Sequence, residues 1–172
     1  IFGSRYFHVG CDEVWDIGRC DICRQRIANG ETESDLFVGH LLEIHRIVTD
    51  ELGARMIIWD DMFECYPDAL KKIPRDVVLA CWQYEQNASL PRAHFLNRLA
   101  EDLFAKYEQM GFEYLLCPSD YALCNAESFT AYAAGHRPLG GLLTTWEKWR
   151  SSLLQSFPLI GAVGRFWAAG GP

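Results

Sequence analysis

Five short, almost unbroken apolar runs recur along the chain, at residues 6–9, 55–59, 76–82, 114–117 and 141–146. Their β-branched and aromatic content predicts strands. Their lack of polar–apolar alternation predicts strands covered on both faces, as in parallel sheets. Longer stretches with helical spacing lie between them. Residues 35–52 place Leu36, Leu41, Leu42, Ile44, Ile47 and Val48 largely along one side, with Gly53 as a left-handed stop. Residues 97–110 repeat the device with Leu99, Leu103, Phe104, Tyr107 and Met110, followed by Gly111. A shorter helix is expected over 127–134, closed by Gly135, and a last one from about 152 to 160 with Pro158 interrupting it. Strand–helix alternation of this kind predicts an α/β fold with a parallel sheet. By itself it fits a closed barrel and an open doubly wound sheet equally.

Composition narrows the picture. The chain has 172 residues, 49% of them hydrophobic, enough for one ordinary domain with a sizeable core. Its formal net charge of −7 and the lack of a basic run argue against a nucleic-acid partner. No stretch has the length of a membrane span, and no signal peptide is visible. Seven cysteines leave at least one unpaired within the chain. Cys81 and Cys117 fall in expected strands, where a free thiol behaves as a small apolar group. A reducing, cytoplasmic or nucleocytoplasmic setting is therefore expected.

The most informative run is Phe7-His8-Val9-Gly10-Cys11-Asp12-Glu13-Val14-Trp15. Most adjacent Asp-Glu pairs are solvated surface. This one stands where an expected strand turns into a loop, the end at which parallel α/β proteins carry out chemistry. Three runs also carry Trp at or near their ends: Trp59, Trp82 and Trp146. Any one could be an ordinary core or surface aromatic; three at equivalent places point to an aromatic wall.

The run resembles the His-aliphatic-Gly-Gly-Asp-Glu signature of glycoside hydrolase family 20, the β-N-acetylhexosaminidases, with Cys11 in place of the second Gly. Trp15 and the following Asp16-Ile17-Gly18 are most similar to the hexosaminidase D-like branch. The resemblance implies a (β/α)8 TIM barrel, of which residues 1–172 would be the C-terminal part, about strands four to eight. A whole barrel of this type has about 250 residues. It implies retaining hydrolysis of terminal β-linked N-acetylglucosamine or N-acetylgalactosamine, with no metal and no cofactor. The nucleophile in that mechanism is the substrate's own acetamido oxygen. Glu13 would be the general acid and later the base. Asp12 would stay ionised and orient the acetamide N–H, so the two pKa values are expected to separate. Trp59, Trp82 and Trp146 would wall the acetamido pocket, and Tyr121 would donate its hydroxyl to the acetamide carbonyl. Asp60 and Asp61 match the family's Trp-Asp-acidic pattern and would hold loops or contact sugar hydroxyls. His8 matches the motif His, a positioning residue. Glu147 directly follows Trp146, and Lys148 takes the place where many members carry Glu.

The partner implied is a glycan or glycoconjugate bearing N-acetylhexosamine. A half barrel would leave open sheet edges, so this stretch alone is expected to be inactive and poorly soluble unless it pairs with itself or with its missing half. Two other functions compete. One is a catalytically silent sugar-binding relative that keeps the Trp pocket; an intact Asp12-Glu13 pair argues against it. The other is a zinc-stabilised module on Cys20-Asp21-Ile22-Cys23. Structural zinc takes four ligands in two spaced pairs, and no second C-x-x-C exists, which leaves a structural or redox-sensitive role open for this pair.

Overall fold

In a computed structural model the described residues are 3–90, 101–120, 122–146 and 153–170, with side chains described from 157 onward in the last stretch. The elements in chain order are β1 (Tyr6–His8), α1 (Asp21–Ala28), α2 (Glu33–Arg46), β2 (Arg55–Trp59), α3 (Met62–Cys65), α4 (Ala69–Lys72) and β3 (Val78–Trp82). They continue as α5 (Leu103–Met110), β4 (Glu113–Cys117), α6 (Leu123–Ala133), β5 (Gly140–Gly141) and α7 (Leu153–Ala168). The strands lie in the sheet in chain order, β1-β2-β3-β4-β5, and β1–β2 and β4–β5 pair in parallel. A doubly wound sheet reverses its order at a switch point; this order never reverses. It is that of a partial α/β barrel, the closed alternative of the two that the alternation allowed.

The chain divides into two compact units, one up to Leu79 and one from Ala80, with the division inside β3. In the first unit α2 begins with a capping box: Thr32 accepts from the Asp35 N–H, and the Asp35 carboxylate accepts from the Thr32 N–H. Lys72 bridges to Asp35 and to Asp68, tying α2 to α4. Leu36, Phe37, Val38 and Leu41 are buried with Met56 and Ile58 of β2. Leu41 is wholly enclosed, so its truncation to Ala costs about 2–5 kcal/mol. Leu42 and Ile47, expected on the buried side, face solvent instead. The helix passes into a π turn at Ile47–Glu51, whose wider winding turns Val48 inward and Ile47 outward. β2 and β3 are buried almost throughout, whereas Phe7 on the edge strand β1 is half exposed.

The second unit is built on aromatic rings. Phe104 stacks on Tyr114 at 4.4 Å and on Phe129 at 5.5 Å, with Tyr132 and the edge of His136 completing the group. Tyr114 donates to Glu108 at 2.7 Å, and burial with that carboxylate pushes its hydroxyl far above the usual range. Helix α5 is capped by Asp102, which accepts from the Ala105 N–H, and stops at Gly111 with φ +79° as expected. Trp167 of α7 donates to Thr130 at 2.9 Å and lies flat on β5. A Cβ at Gly141 would come within 2.6 Å of the Trp167 ring, so that strand position needs glycine for space. Pro158 lies inside α7 rather than ending it, on an exposed position. β5 is only two residues long, and the sheet resumes as a single parallel bridge, Ser119–Thr144. Trp146 therefore follows that bridge and does not end a strand. No helix of the described residues is long and apolar enough to cross a membrane.

Candidate active site

The acidic pair sits on a tightly held turn after β1. Val9 donates to the Ile57 carbonyl at 2.9 Å, and Trp59 donates to the Gly10 carbonyl at 3.0 Å, so the turn leaves the sheet beside the end of β2. Gly10, Cys11 and Glu13 all have positive φ, at +76°, +67° and +49°. Such backbone suits glycine and strains other residues. Cys11 thus stands in left-handed backbone that favours glycine.

Buried groups hold this strained turn in place. The Asp61 carboxylate, 1% exposed, accepts the Glu13 N–H at 2.9 Å, and the Met62 sulfur accepts the Val14 N–H at 3.3 Å. Asp61 precedes α3 without capping it; its carboxylate serves the Glu13 backbone instead. The outcome is a pair of exposed carboxylates, Asp12 and Glu13, on backbone fixed from below. Asp60 is buried beside Asp61.

His8 anchors the other side. Its Nδ1 accepts the Gly10 N–H at 3.0 Å, which places the ring proton on Nε2, and that atom is buried without a hydrogen-bond partner among the described residues. Burial lowers its pKa, opposed by the nearby Asp12 charge, so the ring is neutral at pH 7. It packs against Trp59, 9% exposed, at 4.5 Å between ring centres. Burial, then the charges of Asp12 and Asp61, push the Cys11 thiol up to about 11. It is no nucleophile at neutral pH.

In the second unit a group of rings follows β3. Trp82, half buried at the strand end, lies 4.9 Å from Tyr84, and Tyr84 lies 6.4 Å from the exposed Trp146. The Tyr84 hydroxyl accepts the Trp146 indole N–H at 2.8 Å. Asn125, wholly buried, clamps the loops beneath: its carbonyl accepts the Ser119 N–H at 2.9 Å, and its amide donates to the carbonyls of Gln83 and Glu85. Thr144 donates by both N–H and hydroxyl to the Pro118 carbonyl, each at 2.9 Å, which fixes the approach to Trp146. Tyr121, Glu147 and Lys148 lie outside the described residues.

Sequence reasoning missed Tyr84 and the clamping function of Asn125. The first had a signal: Trp82 and Tyr84 are two apart in an extended segment and so share a face. Among the described residues no three or more His, Cys, Asp or Glu side chains gather as a metal site, Cys20 and Cys23 included.

Residues 1–168 match the family described as glycosyl hydrolase family 20, catalytic domain. The chain belongs to that family. Hexosaminidase D of Bos taurus is a relative, 29% identical over 128 residues, which cover 69% of this chain and 34% of the relative. The match thus spans about a third of that relative's length. The partial barrel is accordingly that of a family 20 catalytic domain.

Proposed function

We propose that this chain belongs to the catalytic barrel of an exo-β-N-acetylhexosaminidase that releases terminal β-linked N-acetylglucosamine or N-acetylgalactosamine with retention. The observation that carries the proposal is the Asp12-Glu13 turn: two exposed carboxylates at the end of a parallel strand, on left-handed backbone held by buried Asp61. A merely solvated pair has no use for a buried carboxylate spent on positioning its main chain.

In this mechanism the substrate's acetamido oxygen attacks the anomeric carbon and forms an oxazolinium ion. Glu13 protonates the departing glycosidic oxygen, then removes a proton from the water that opens the ring. Asp12 accepts the acetamide N–H and offsets the positive charge that develops. In the second unit the rings of Trp82, Tyr84 and Trp146 offer flat apolar faces of the kind that receive a sugar. The neutral, ring-packed His8 positions the turn.

The test compares an aryl β-N-acetylglucosaminide with the matching β-glucoside, which lacks the acetamide, in the protein that carries this chain. Strong preference for the acetamido sugar is expected. Equal turnover of both would rule out an acetamide nucleophile. Sugar binding without turnover would assign a silent sugar-binding relative instead.

A further inference from the structure

Cys20 and Cys23 belong neither to the acidic turn nor to the ring group. Cys20 is the N-cap of the eight-residue helix α1, in extended conformation and exposed. Its sulfur accepts the Cys23 N–H at 3.3 Å. The pair therefore lies across the first turn of α1, Cys20 exposed and Cys23 half-buried, with the Cys20 sulfur already hydrogen-bonded to the Cys23 backbone. Nearby Asp21 is engaged by Arg24, whose guanidinium also donates to the Arg19 carbonyl.

The other cysteines differ in kind. Cys81 and Cys117 are buried, and the Cys11 thiol is held protonated. Hydrogen bonding from Cys23, its backbone N–H first, with a smaller part from the Arg24 charge, lowers the pKa of Cys20 below the ordinary thiol value. The thiolate is the form that attacks disulfides. A metal would need further ligands, and no third His, Cys, Asp or Glu joins the two among the described residues.

We propose that Cys20 and Cys23 form a redox-active dithiol that exchanges with small-molecule disulfides, Cys20 attacking and Cys23 resolving. In the first step the Cys20 thiolate bonds to one sulfur of the small disulfide and expels the other half as a thiolate. In the second, Cys23 gives up its proton, attacks the Cys20 sulfur and expels the remaining half. The two protein thiols are oxidised to one disulfide, and the small disulfide is reduced to two thiols.

The reduced protein is treated with oxidised glutathione, acid-quenched and read by peptide mass spectrometry. Wild type is expected to lose two hydrogens within residues 20–23. Cys23→Ser is expected to stop at a glutathione adduct on Cys20. Cys20→Ser, which keeps a good N-cap, is expected to carry no more adduct on Cys23 than on exposed Cys124. Iodoacetamide at pH 7 is expected to label Cys20 at least about 5-fold faster than Cys124. Equal labelling of Cys20 and Cys124, or wild type that gathers adducts without closing the disulfide, overturns the proposal.

Discussion

The acidic turn of the first unit and the ring group of the second are held by different means. The turn is a backbone construction: three left-handed residues, a carboxylate beneath Glu13 and a neutral imidazole accepting from Gly10. The ring group is a side-chain construction, with centroid spacings of 4.9 and 6.4 Å and one O···H–N contact. A group that must deliver a proton needs its position fixed to fractions of an ångström. A surface that receives an apolar face tolerates small ring movements. The glycines divide in the same way: Gly10 is required by its φ and Gly141 by the Trp167 ring against it.

The contrast can be broken at several points. Outside the carboxylate pair itself, the largest effect is expected from Asp61. Asp61→Ala leaves the Glu13 N–H without its acceptor, a loss of roughly 1–3 kcal/mol, and kcat is expected to fall at least about 10-fold. Asp61→Asn keeps a carbonyl acceptor and is expected to retain most activity; equal loss in both variants would show that charge, not backbone anchoring, is what matters. Gly141→Ala is expected to destabilise by about 1–3 kcal/mol through overpacking on Trp167, measured by urea unfolding. Tyr84→Phe removes the acceptor for Trp146 but keeps the ring, so KM is expected to rise a few-fold at nearly constant kcat. A kcat-only change would place Tyr84 with the chemistry. Cys11→Gly relieves a left-handed side chain and is expected to raise stability by about 1 kcal/mol or less, with activity kept.

A pH titration sharpens the same comparison. The folded pKa of His8 is depressed by burial, so the unfolded chain takes up the proton first. Stability from the neutral ring is therefore complete above about pH 6.5. It is lost as pH falls through the folded value. In NMR the His8 ring is expected to protonate at a lower pH in the folded protein than in the urea-unfolded chain; the same titration in both would refute the buried, accepting imidazole.

Much of this was legible in the sequence because it rests on local pattern. The runs that became β2 and β4 were placed within a residue, and the strand-end Asp12-Glu13 pair was visible from Gly10 and the apolar residues before it. What escaped was set by tertiary contact. Leu42 and Ile47 satisfy the helical period, yet the π turn after Arg46 carries Ile47 outward. Helix α1 went unread because it has no buried face at all. Pro158 reads as a breaker, but one missing N–H is tolerated within α7. Asp61 reads as a sugar contact as readily as a backbone acceptor, since 48 residues separate it from Glu13. Tyr84 lacked only the question of which face of its segment it shares.

The division of labour between turn and rings is tested most directly by the steady-state kinetics of Glu13→Gln on an aryl β-N-acetylglucosaminide. A general acid typically contributes about 10²–10⁴-fold, so kcat is expected to fall by that factor while KM stays near wild type. A Glu13→Gln protein whose kcat remains within a few-fold of wild type would contradict the assignment of the turn to catalysis.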